Sequence, residues 1–321
     1  MRWVTRLGLA IAAATLALPA LAQSWPNKPV TIVVPFGPGG PADVYARILG
    51  QALTESLGQQ FIIDNKPGAG AIIGTGVVAK AAADGYTLLM MSNTHTTNET
   101  LFTHKPYQLM RDLVPVAPVN SSDLVMVVHP SVPAKTLQEF IALAKAQPGK
   151  LSYASSGPGT PYHMAGELFK AMSGTDVLHV PHKSSGEARN DVMGGHVQMM
   201  LDAVTTMKGP IEANEVRALG TTGLKRSAIL PNVPTIDESG VPGYEATIWL
   251  GIMAPKGTPP EIVNKLNAEI AKVVASPKIK EAWAQQGAVP MTMTPAAFGD
   301  FLEKDIAKWA KIVKISGATI Q

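Results

Sequence analysis

The chain alternates between short apolar runs and loops of glycine, proline and hydroxyl residues. Pro29-Val30-Thr31-Ile32-Val33-Val34-Pro35 is rich in β-branched residues and predicts a buried strand. Phe36-Gly37-Pro38-Gly39-Gly40 follows, a run that neither helix nor strand accommodates. Pro41 then suits the first position of a helix, and Val44, Ile48, Ala52 and Leu53 fall at helical spacing. The same order recurs. Residues 61–64 predict a strand, 66–70 (KPGAG) a loop, and the stretch to Ala82 a helix of small residues. Residues 86–91 predict a strand that runs into a polar loop, Ser92-Asn93-Thr94-His95-Thr96-Thr97-Asn98. Further strands are expected at 124–128, 151–154, 177–180, 197–201 and 216–220. Capping boxes at Thr136–Glu139 and Thr258–Glu261 open two helices, and residues 295–312 form a last amphipathic one.

Strands alternating with helices imply an α/β architecture with largely parallel sheets. Two domains fit the length of 321 residues. No linker or low-complexity segment separates them, so a discontinuous division is expected.

The N-terminus has a separate meaning. Arg2 and Arg6 precede an apolar run from Leu7 to Leu18, and Ala20-Leu21-Ala22 offers small residues for a signal peptidase. Residues 1–22 are therefore expected to be an export signal cleaved after Ala22, with a periplasmic product beginning at Gln23. The net charge of +3 owes two units to Arg2 and Arg6, so the mature chain is close to neutral. No Lys/Arg-rich block exists, which argues against nucleic acid as a partner. The absence of cysteine excludes disulfides, thiolate chemistry and a lipidated N-terminus.

Candidate chemistry lies in the Gly/Pro loops. Each follows an expected strand and precedes an expected helix. Glycine lets backbone N–H groups approach a ligand, and a helix N-terminus adds unpaired donors and partial positive charge. Together they bind anions without arginine. The first such loop is Phe36 to Asp43; a tight turn with a first-turn carboxylate explains it too. The second is Ser155 to Thr160, ahead of a helix begun by Pro161. Ser92, Asn93 and Thr94 offer further donors or simple caps. His163 falls in a first helical turn, Asp202 at a strand end, and Lys183 reads more readily as a solvated charge. His179 and His182 have an H-x-x-H spacing without a carboxylate to complete a metal site. No G-x-S-x-G elbow, complete dinucleotide fingerprint or Walker lysine is present, so an enzyme is the weaker class and no cofactor is expected.

Residues 29–43 (PVTIVVPFGPGGPAD), 64–70 (DNKPGAG), 84–89 (DGYTLL), 151–163 (LSYASSGPGTPYH), 179–183 (HVPHK), 230–244 (LPNVPTIDESGVPGY) and 254–259 (APKGTP) together resemble the Bug-type solute-binding proteins of tripartite tricarboxylate transporters. The resemblance spans nearly the whole mature chain. It implies a two-lobed type II periplasmic-binding-protein fold, with residues 23–121 and 253–321 in one lobe and 122–252 in the other. Hinges are then expected near Asn120-Ser121-Ser122 and Ile252-Met253. It implies that Phe36, Pro38, Gly39, Gly40 and Asp43 from one lobe, with Ser92 and Thr94, and Ser155, Ser156, Gly159 and Thr160 from the other, grip a small carboxylate. His163, His182 and Asp202 complete the candidate set. The chain departs from the family pattern at His182-Lys183-Ser184, where Tyr-Lys-Gly is usual, and at His95. The implied partners are a mono- or dicarboxylate and the permease subunits of a membrane transporter, with the receptor a monomer. A sensor subunit of the same fold, and a hydrolase using Ser155 or Ser156 with His163, are the alternative readings.

Overall fold

The computed structural model describes residues 25–316; the expected signal segment lies outside them. The chain begins with β1 (Val30–Val34), α1 (Pro41–Leu57), β2 (Phe61–Asn65), α2 (Ile72–Ala79), β3 (Thr87–Ser92), α3 (Asn93–Leu101), α4 (Leu109–Asp112) and β4 (Leu113–Ser122). It continues with β5 (Leu124–Val128), α5 (Leu137–Ala146), β6 (Ser152–Ser155), α6 (Pro161–Ser173), β7 (Leu178–Pro181), α7 (Ser185–Met193), β8 (Met199–Ala203), α8 (Val204–Glu212) and β9 (Arg217–Thr221). The last part is β10 (Ile248–Pro255), α9 (Pro260–Ala275), α10 (Pro277–Ala284), β11 (Ala288–Pro290) and α11 (Pro295–Ser316).

Two sheets result, in the orders β11-β4-β10-β3-β1-β2 and β7-β6-β8-β5-β9. Their plans match. Three parallel strands are followed by one that enters from the other sheet and runs antiparallel: β10 beside β3, and β5 beside β8. The two lobes thus exchange a strand.

Helices on both faces explain why β1 and β5 are apolar almost throughout. Val30, Ile32 and Val34 pack with Tyr45, Leu49 and Leu53 of α1 and Leu266 and Ile270 of α9. Val33 points the other way, into a cluster with Trp249, Phe298 and Leu302. In the second lobe Leu124, Met126 and Val128 face Leu137, Phe140 and Phe169, while Val125 and Val127 face Ala188, Val192 and Met207.

Four local readings need correction. The second crossing was expected at Ile252-Met253, but these residues pair with Met90 and Leu89 of β3 and with Ala117 and Pro115 of β4. The chain has already joined the first sheet at Ile248, so it returns through residues 222–247. Asp123 alone separates β4 from β5 at the first crossing. The C-terminal segment, expected in the first lobe, serves both. Phe298 and Leu302 of α11 join a first-lobe cluster, whereas Trp309, Ile312 and Val313 join the second-lobe core. The Thr258–Glu261 capping box does not form. Pro259 occupies the cap position, and Thr258 Oγ1 donates to Pro255 O at 2.8 Å. The polar stretch after β3 is a helix, α3, not a loop. Ser92 caps it by accepting Thr94 N–H at 3.2 Å, and Ser92 N–H donates to His95 Nδ1 at 3.1 Å.

Candidate functional site

A cavity of about 320 Å³ opens between the lobes. Four helix N-termini meet in its wall. Gly40, Pro41 and Ala42 begin α1; Ser92 and Thr94 begin α3; Thr160, Pro161 and Tyr162 begin α6; Ser184 and Ser185 begin α7. Each helix follows a strand whose carboxyl end points at the cleft, where open α/β sheets bind ligands. Prolines at the first turns of α1 and α6 fix the backbone without breaking an intrahelical hydrogen bond. At α1 the cap residue is Gly40, so no side chain competes for the first-turn N–H groups. Among the described residues the wall contains no aspartate or glutamate, and Lys183 is its one charged side chain. Phe36, Pro38, Pro67, Ile248 and Leu250 supply apolar surface.

A second layer holds the loops in shape. Asp43 Oδ2 accepts Gly39 N–H at 2.9 Å and Arg47 pairs with Asp43 at 2.8 Å. Burial acts upward on the Asp43 carboxyl but is outweighed by the bonds from Arg47, Gly39 and Asn65, which hold it below its usual range. Asn65 Nδ2 donates to Phe36 O at 3.1 Å and so ties the first loop to β2. In the other lobe, Ser155 Oγ accepts Gly157 N–H at 3.1 Å and lies 2.6 Å from His179 Nε2. His163 Nδ1 accepts Gly159 N–H at 3.0 Å. The His163 and His179 rings stack with centroids 4.1 Å apart, and Tyr153 stacks on His179 at 4.9 Å. Burial, with Lys170 adding to it, lowers His163 to about 4; burial, with His163 beside it, lowers His179 to about 3. Both imidazoles are therefore neutral at pH 7, which leaves His163 Nδ1 free to accept.

Gly159 is a close approach. Its φ is +76°, and a Cβ there would lie 2.3 Å from Leu101 Cδ2 at the end of α3. The second-lobe loop thus rests directly on a first-lobe helix.

Of the candidates, Phe36, Pro38, Gly40, Ser92, Thr94, Ser156 and Thr160 line the cavity. Gly39, Asp43, Ser155, Gly159 and His163 sit behind it in the supporting bonds just described. His182 is turned away: Nε2 meets Asp191 at 2.7 Å and Nδ1 meets Val180 O at 3.1 Å. Asp202 is fully buried and paired with Arg189 at 2.9 Å. The wall also contains Lys183, Tyr162, Ile248 and Leu250, outside the candidate set. Lys183 looked solvated by composition, and Ile248 and Leu250 belong to a strand the apolar pattern did not single out. The hydrolase pairing does not form, because Ser155 faces His179 and no imidazole bonds Ser156 among the described residues.

Thr94 gives a direct test of where a ligand contacts the first lobe. It is 1% exposed, lines the cavity, and its Oγ1 has no partner among the described residues. An unpaired buried hydroxyl costs about 1–3 kcal/mol. Thr94→Val is therefore expected to leave the ligand-free protein as stable or more so in urea melts. The same change should weaken the ligand by about 1–2 kcal/mol in calorimetry. A loss of stability with unchanged affinity would place the hydroxyl in the scaffold instead.

The family model described as the tripartite tricarboxylate transporter family receptor matches residues 45–318. Protein BugT of Bordetella pertussis is 38% identical over 100% of this chain and 99% of its own. The structure of Rpa4515 from R. palustris with adipate superposes with a TM-score of 0.86 at 36% identity, covering 92% of this chain and 100% of that one. MatC (Rpa3494) from Rhodopseudomonas palustris with bound malate gives 0.82 at 29% identity, covering 90% and 100%.

Proposed function

The chain belongs to the receptor family of tripartite tricarboxylate transporters, and from that premise we propose that it is a periplasmic solute-binding protein that closes on a small mono- or dicarboxylate and delivers it to a membrane permease. The observation that carries this reading is the convergence of four helix N-termini on one cavity whose wall has no acidic side chain. Each terminus presents unpaired N–H groups and a partial positive charge. A carboxylate losing its water there regains donors at once, which matters because an unpaired buried charge is costly. Adipate and malate in the two related structures are carboxylates of the size this cavity takes. Two of the termini belong to each lobe, so a bound anion links the lobes and favours the closed form. The crossings at Asp123 and 222–247 are the hinge segments in this reading, and the closed surface is what the permease recognises.

The test is a thermal-shift screen of residues 23–321 against small carboxylates, amino acids and neutral sugars. A ligand at 100 times its dissociation constant stabilises by about 2.7 kcal/mol, a readily measured shift. A shift confined to one carboxylate class is the expected result. A shift with sugars and none with any carboxylate would overturn the reading.

A further inference from the structure

The cavity is unevenly charged. Helix N-termini supply partial charge from both lobes. Two carboxylates in the same small space repel and neither is fully hydrated, so a full positive charge in the wall favours a dianion over a monoanion. Nearby arginines are already neutralised: Arg47 by Asp43 at 2.8 Å and Arg189 by Asp202 at 2.9 Å. Lys183 is the exception. It lines the cavity beside Ser184 and Ser185 at the start of α7, and no carboxylate pairs with its ammonium among the described residues.

Its backbone is fixed. Lys183 N–H donates to Glu187 Oε2 at 3.1 Å, and Ser184 Oγ accepts Glu187 N–H at 3.2 Å. This reciprocal cap occupies Glu187 with main-chain bonds and holds Lys183 at the wall while the residue stays exposed. The same cavity is also lined by Phe36, Tyr162, Ile248 and Leu250. A wall that is part polar and part apolar fits a molecule that carries both kinds of surface.

We propose that Lys183 is the specificity-determining residue of this cleft: it pairs with the second carboxylate of a dicarboxylate whose first carboxylate sits on the helix N-termini and whose methylene or ring spacer lies on the apolar wall. The proposal rests on the carboxylate-receptor reading above. It assigns the choice between mono- and dianions to one side chain.

The test is calorimetric titration of residues 23–321 with succinate, adipate and phthalate, each beside its monocarboxylate counterpart, butyrate, hexanoate or benzoate. Wild type is expected to prefer the best dicarboxylate over its counterpart by at least about tenfold. Lys183→Met should shrink that ratio by about three- to fivefold and flatten the salt dependence of dicarboxylate binding, while Lys183→Arg restores both. A ratio that survives in Lys183→Met, or a wild type that binds the monocarboxylate equally well, overturns the assignment. Failure of every carboxylate to bind wild type would instead sink the receptor reading itself, and this inference with it.

Discussion

Gly40→Asp should abolish carboxylate binding while leaving the protein as stable as before, or slightly more so. Gly40 caps α1 with φ −81° and ψ 168°, an extended conformation open to any residue. A Cβ there meets nothing nearer than Gly37 O at 3.7 Å. Aspartate is among the best cap residues, and gains a few tenths of a kcal/mol over glycine. Its carboxylate would accept the first-turn N–H groups that a ligand otherwise takes, and would place a fixed negative charge in the wall. Like charges brought together in an interface cost several kcal/mol, so affinity should fall by at least about a hundredfold. Gly40→Asn, with the same shape and no charge, should lose much less. Calorimetry and thermal melts on the same samples separate binding from stability. Unchanged affinity in Gly40→Asp would remove the α1 terminus from the site.

The second large effect is acid sensitivity. Burial lowers His95 to about 4, His163 to about 4 and His179 to about 3, against an ordinary value of 6.5. The unfolded chain therefore binds protons that the folded chain refuses. The stability these groups contribute is complete above pH 6.5 and is lost as pH falls towards 4, by about 3 kcal/mol for each imidazole. Three carboxyls act in the opposite sense, one of them Asp202, which burial raises against the Arg189 charge and the bonds it accepts. Burial, with the Glu245 charge adding to it, raises Asp123 to about 6, and burial raises Asp305 to about 6 against the bonds from Thr96 and its neighbours. Their contribution is complete below 3.8 and is lost as pH rises through 6, so acidification favours them. Between pH 6.5 and 4.5 the three imidazoles outweigh Asp123 and Asp305. Urea midpoints should drop steeply between pH 6.5 and 4.5, and a flat or rising profile would contradict the account. Ligand affinity should fall only as pH nears 4, where the folded His163 itself takes up a proton. A protonated His163 Nδ1 becomes a donor facing the Gly159 N–H, and the second-lobe loop loses its support. His163→Gln removes that titration and should make the profile shallower.

Strands and loops were legible where one physical signal dominated. The β-branched run of β1 and Pro41 after a Gly/Pro turn admit only one local reading. Elsewhere the deciding contacts are distant. β4 carries Pro115 and Pro118, which argue against a strand, yet it pairs with β10 across register shifts that accommodate them. α3 has almost no apolar residues and therefore no helical period. Asn93 to Asn98 are nevertheless buried, because α3 lies between β3 and the bridging helix α11, where Thr96 Oγ1 donates to Asp305 at 2.6 Å. The hinge was misplaced for the same reason: nothing in Ile252-Met253 announces that the chain crossed earlier.

The site divided along another line. Residue types singled out two Gly/Pro loops that line the cavity, because glycine, hydroxyl and proline chemistry is local. They did not say which side chains face the cavity. Ser155 and Ser156 are neighbours on one strand end, and alternation sends one inward to His179 and the other to the cleft. His163 and Asp202 have the right chemistry for ligand contact, and packing directs them to Gly159 and Arg189 instead. Lys183 was passed over because a lone lysine carries no signal until the fold shows what surrounds it.

The central claim is that a small carboxylate sits where the four helix N-termini converge. Isothermal titration calorimetry of residues 23–321 with the carboxylate that gives the largest thermal shift, run in parallel on Gly40→Asp, tests it most directly. The account predicts one site per chain in wild type and no detectable heat of binding in the variant. Equal binding by both proteins, or a wild type that takes up a neutral sugar and no carboxylate, would contradict it.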